Sequence, residues 1–251
     1  MTHRFLSPGW SARLPPGGTD ISPERGVLLG TGLFLALAVV EAVARWALGL
    51  DPAAGSVPPV LGSLALAASE LVVLFAIVKR YWGPTPTQLL TRGSLAKRDL
   101  LVWVWVPLVF TWRGVYQSLY QGGDLSSHAF QATVLGLVLG EAVAAPLREE
   151  IVFRGLLFGG LRHWSRALGY TVTTALFTLG HARAFCVPLV DGPAHVVWGP
   201  VVLYVVFSVG MCRMYEKTGS LLLCVIMHAL ANLLQHIALV VGAALRLAPI
   251  G

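Results

Sequence analysis

Residues 130–161 read FQATVLGLVLGEAVAAPLREEIVFRGLLFGGL, one apolar run that carries Arg148, Glu149, Glu150 and Arg154 within seven positions. About 20 predominantly apolar residues suffice to cross a bilayer core, so the run is long enough to span one, charges included. Six more apolar runs flank it: Val27–Leu50, Val60–Val78, Leu100–Tyr120, Leu168–His181, Val196–Cys212 and Leu221–Leu245. Helix breakers separate them at Asp51-Pro52, Pro58-Pro59, Gly83-Pro84, Gly122-Gly123 and 188–193. The pattern predicts an all-α, polytopic transmembrane helical bundle of about seven spans, with a polar cavity near the midplane where the charges meet.

Composition agrees. Of 251 residues, 56% are hydrophobic and 12% charged, against about 25% charged in an ordinary soluble domain. The net charge of +6 does not point to nucleic acid, because no basic cluster carries interleaved aromatics. Lys and Arg instead mark topology: with the amino terminus inside, twelve fall in inside segments and two, Arg183 and Arg246, outside. Residues 1–26, rich in Pro, Gly and Ser and without an apolar core, are expected to be a mobile cytoplasmic tail and not a signal peptide. Residues 27–251 are expected to form a single transmembrane domain, with no internal repeat. Cys186, Cys212 and Cys224 fit neither a zinc site nor a disulfide framework and are expected to be small core side chains.

Ionisable groups at membrane depth are costly, so each needs a partner or a function. Glu41, Glu70 and Glu141 stand singly and are expected to pair with Arg45, Arg113 or Arg148. Glu150 and Arg154 lie one helical turn apart in the favourable acid-first order. Glu149 is rotated off that face and remains available as a general base. Phe177/His181 and His228/Asn232 repeat the one-turn spacing on two other spans. At 1.5 Å per residue, Glu149, His181 and His228 lie about 20, 22 and 14 Å from their cytoplasmic ends, in the middle band of a core about 30 Å thick. Converging there, Glu149 and His181 are suited to deprotonate a water for attack on a peptide carbonyl, and His228 and Asn232 to hold the oxyanion.

The ordered set Glu149-Glu150-x-x-x-Arg154, Phe177-x-x-x-His181 and His228-x-x-x-Asn232, with the lead-in Tyr215–Leu221, resembles the CPBP family of intramembrane proteases (CAAX protease, bacteriocin-processing or Abi proteins). The likeness covers about 138–234, the expected catalytic core. It implies a glutamate-dependent intramembrane endopeptidase with Glu149 and His181 activating water, Glu150 paired with Arg154, His228 and Asn232 as the oxyanion site, and no obligatory cofactor or metal. The substrate implied is a membrane-tethered or tail-anchored protein cut near its carboxy-terminal tail, as in the myxosortase-like members. The Ala, Gly, Arg, Leu and Val bias suits a multi-pass protein of a bacterial inner membrane.

Alternatives stay open. Glu149, His181 and His228 are plausible zinc ligands, although HExxH, GxGD and GxSG are missing from the sequence. A non-catalytic scaffold or bacteriocin-immunity protein would use the same residues for helix packing, and a transporter would use them as a proton relay.

Overall fold

The computed structural model describes residues 22–47, scattered positions between 68 and 79, and residues 101–120, 137–181 and 194–247. Every element is helical, and among the described residues there is no strand. The helices are α1 (Pro23–Ala47), α2 (Trp105–Tyr120), a long α3 over 137–164, α4 (Arg166–Gly180), α5 (Ala194–Thr218) and α6 (Leu221–Leu247). Expected tail residues 1–21, the span over 60–78 apart from its scattered positions, and Cys186 lie outside the described residues, as do the side chains of Glu41, Glu70 and Glu141.

Two helical segments, Trp198–Thr218 and Leu221–Ala238, are long and apolar enough to cross a membrane, with mean hydropathies of 1.3 and 1.8. Large apolar side chains also coat the outside: Leu35 and Val43 on α1, Trp112 on α2, Trp198 and Val202 on α5, and Ile237 and Leu245 on α6 are all exposed. Contiguous apolar surface of this kind suits lipid tails and not water.

The sequence expectation differs from the structure in three places. Pro23–Gly26, assigned to the tail, form the first turn of α1, because Pro is well placed at the start of a helix. The sixth run continues past Cys212 to Thr218, because Arg213-Met-Tyr-Glu-Lys-Thr keeps good helix formers and meets no breaker before Gly219. The fourth run is not uniformly wound. Leu137–Ala144 and Ile151–Phe158 are π-helical, bracketing an α-helical Ala145–Glu150, so a 100° wheel does not hold along it. Such widened turns are frequent at functional sites.

Small residues let α1 approach α3 closely. Gly26 and Gly30, four apart, face Leu156 and Leu157, and a Cβ on Gly160 would sit 2.8 Å from the Pro23 carbonyl oxygen. Inside, Phe110, Phe153, Phe177, Tyr204 and Phe207 form a buried aromatic cluster, with Phe110 and Phe207 centroids 4.3 Å apart.

A two-residue turn joins α5 to α6 and fixes where α6 begins. Gly219 adopts φ 64°, the left-handed conformation that ends helices at low cost, and its N–H donates to the Tyr215 carbonyl at 2.8 Å. The next residue, Ser220, opens α6: its hydroxyl accepts the Leu223 N–H at 3.1 Å. Thr218, Gly219 and Ser220 are all buried, so the turn is packed into the molecule, and the register of His228 two turns later depends on it.

Candidate active site

Four elements supply the site. Glu149, Glu150 and Arg154 come from α3, where the α-helical segment gives way to the second π-helical stretch. His181 is the residue that ends α4, its backbone N–H bonded to the Thr178 carbonyl at 3.1 Å. Tyr204, Phe207 and Ser208 lie on α5 and His228 and Asn232 on α6.

Glu150 and Arg154 are fully buried and paired at 2.9 Å, as their spacing predicts. The same oxygen, Glu150 Oε1, lies 2.6 Å from His228 Nδ1. Arg154 also donates to the Ser208 hydroxyl at 3.4 Å and stacks over the Phe177 ring at 4.5 Å. A buried charge needs several such partners, and losing one strands the rest. Salt-bridging was expected of Glu150; its hold on His228 was not.

Glu149 sits at the opening of this network with 12% of its side chain exposed. Its Oε1 is 3.5 Å from Arg148. Oε2 faces His181 Nε2 at 3.6 Å and His228 Nε2 at 3.9 Å, and it has no hydrogen-bond partner. The structure thus brings together Glu149, His181 and His228, which the sequence placed on three separate spans. Asn232 stands one turn beyond His228 on α6, partly buried.

Hydrogen bonding fixes both imidazoles. The His181 Nδ1 lies 2.8 Å from the Phe177 carbonyl oxygen, which can only accept, so Nδ1 carries the proton. By the same reasoning His228 Nδ1–H donates to Glu150. Both Nε2 atoms therefore turn toward Glu149 Oε2, and each is a lone pair in the neutral ring or an N–H in the cation. Two hydrogen bonds of about 2.8 Å diverging by about 80–90° span roughly 3.6–3.9 Å, so the separations suit one water held among the three atoms. Among the described residues no three His, Cys, Asp or Glu are grouped as a metal ion requires.

Sequence reasoning missed the contribution of α5. Tyr204 stacks on His181 with centroids 4.4 Å apart and rings 28° from parallel, and Phe207 meets His228 edge-on at 5.0 Å. A signal was present: Tyr204 and Ser208 are polar, one turn apart, in an otherwise apolar run.

No curated protein and no solved structure matches the chain. Residues 130–234 match the family model described as Type II CAAX prenyl endopeptidase Rce1-like, a stretch that holds Glu149, Glu150, Arg154, His181, His228 and Asn232. Together with the apolar exterior, the match makes this a membrane protein. Over residues 130–234, less than half of its length, the chain is similar to the Type II CAAX prenyl endopeptidase Rce1-like family, a family of peptidases.

Proposed function

We propose that this protein is a glutamate-dependent intramembrane endopeptidase. The observation that carries the reading is Glu149 Oε2, unpartnered and facing two imidazole Nε2 atoms at water-bridging separations. A water there donates one hydrogen to Glu149 Oε2 and one to the His181 Nε2 lone pair, and its oxygen attacks the peptide carbonyl carbon. Glu149 takes the proton as the C–O bond forms. His228, protonated at Nε2 and supported at Nδ1 by Glu150, donates to the developing oxyanion, with Asn232 as second donor. Collapse of the tetrahedral intermediate breaks the C–N bond, and the proton held by Glu149 passes to the leaving amine. No side chain becomes covalently attached, and the reading assigns no role to a metal.

The substrate class that fits is a membrane-tethered or tail-anchored protein cut near its carboxy-terminal tail. About seven spans, an inside amino terminus and a bacterial inner membrane follow from the Lys and Arg distribution and the composition. The scaffold reading is less favoured because packing glue needs its polar atoms paired, and Glu149 Oε2 is not.

The test is reconstitution with tail-bearing substrate proteins in water enriched in heavy oxygen, followed by mass spectrometry of the cut ends. One heavy oxygen in the new carboxy terminus, with cleavage unaffected by a chelator, is the expected result. Cleavage abolished by the chelator and restored by zinc would replace the mechanism with a metal-dependent one, and no cleavage of any tail would remove the peptidase reading.

A further inference from the structure

Water is a reactant in the proposed chemistry, yet Glu149 and His181 lie where the surrounding helices are coated with apolar side chains. α4 carries a polar stripe that leads toward them. Arg166, Tyr170, Thr174 and Thr178 recur at strict four-residue spacing, and His181 follows three residues later, so all five share one sector of the helix. That sector faces inward against α5: Arg166 and Tyr170 bond Glu216 of α5 at 2.7 and 3.0 Å, and His181 stacks on Tyr204 of α5 at the other end.

Between those ends the hydroxyls are unpartnered. Thr174 and Thr178 are 8% and 7% exposed, and their Oγ1 atoms are buried without a hydrogen bond, as is that of the neighbouring Thr173. A helical threonine at a packed interface ordinarily satisfies its hydroxyl on the carbonyl four residues back or across the contact. Two orphaned hydroxyls one turn apart on this sector, with a third on the face beside it, are what helix glue would avoid and what ordered water would use, since each supplies a donor and two lone pairs.

Resting on the peptidase reading, we propose that the seam between α4 and α5 is the route by which water reaches Glu149 and His181. It enters at the exposed Arg166–Glu216 end and passes along Thr174 and Thr178. The stripe from Thr174 to His181 covers about 10 Å of helix, with steps of about one turn, 5.4 Å, that a single bridging water closes. Arg166 is half exposed where it meets Glu216, which opens the entrance to the aqueous side.

Two measurements test the route. In a background with Cys186, Cys212 and Cys224 replaced by alanine, Thr174→Cys and Thr178→Cys should react with a small cationic methanethiosulfonate at least tenfold faster than Leu179→Cys, whose native side chain is exposed on the apolar exterior. Equal or slower modification of both threonine positions would overturn the route. In the native background, Thr174→Val and Thr178→Val should each lower turnover about tenfold with KM unchanged and Thr→Ser restoring it; undiminished turnover in both valine variants would overturn the route even if the alanine background fails to fold. Absence of cleavage by the wild type would count against the peptidase reading alone, because the modification rates decide the route without any substrate.

Discussion

His228 Nδ1 lies 2.6 Å from Glu150 Oε1, the oxygen that also receives Arg154 at 2.9 Å. One buried carboxylate therefore ties α3 to α6 while keeping a proton on Nδ1 of a candidate-site ring. Removing it leaves Arg154 buried without its counter-ion. Glu150→Ala is expected to cost about 3–5 kcal/mol, the penalty for breaking a buried pair from one side. Thermal unfolding in detergent measures it, and a melting temperature equal to wild type would mean that water replaces the carboxylate freely.

Stacking of Tyr204 on His181 predicts a split between two substitutions. Tyr204→Phe keeps the ring and should retain most activity. Tyr204→Leu frees the imidazole and should lower kcat about tenfold or more, since a small misplacement at a reacting centre is costly. KM should stay constant in both, as measured by initial rates on a tail-bearing substrate. Equal losses in the two variants would place the role of Tyr204 in its hydroxyl and not in its ring.

The approach of α1 to α3 gives a stability prediction. A methyl at Gly160 would meet the Pro23 carbonyl oxygen at 2.8 Å and the Val27 backbone nitrogen at 3.1 Å, and backbone cannot rotate away. Gly160→Ala is expected to destabilise by about 1–3 kcal/mol. Gly199→Ala, on α5 with nothing within 4 Å of its new methyl, should be neutral or gain up to about 1 kcal/mol from helix propensity. Side-by-side melting curves check the pair, and the same shift in both would contradict the close contact between α1 and α3.

At the α5–α6 turn, Gly219 has φ 64°. Gly219→Ala is expected to cost about 1–2 kcal/mol because an L side chain is strained there. Gly219→Asn should cost less, Asn being the residue next best suited to that conformation. Activity should fall with Gly219→Ala beyond what the stability loss explains, since the turn sets the register of His228; assays well below the melting temperature separate the two effects.

Much of this was legible in the chain. Apolar run lengths give the helical class, and the one-turn spacing of Glu150 and Arg154 gives their pair, because both depend on local periodicity alone. Bringing Glu149, His181 and His228 together was within reach through depth counting, since helix rise is fixed. What the sequence did not reveal depends on tertiary contacts. The π-helical winding of 137–144 and 151–158 has no local signature that a periodicity reading can see. The bond from Glu150 to His228 spans 78 residues of sequence, and the stacking of Tyr204 on His181 depends on how α5 rotates against α4. The end of α5 lies beyond what an apolar run can show, because Arg213, Glu216 and Lys217 are charged, and Glu216 forms bonds to Arg166, Tyr170 and Arg213 on the continuing helix.

The central claim concerns one proton acceptor, and the most direct measurement is the cleavage rate of Glu149→Gln beside the wild type under single-turnover conditions. General-base catalysis contributes about 10²–10⁴-fold, so the variant should lose that much while its melting temperature and circular dichroism stay unchanged. A rate within a few-fold of wild type would contradict the account.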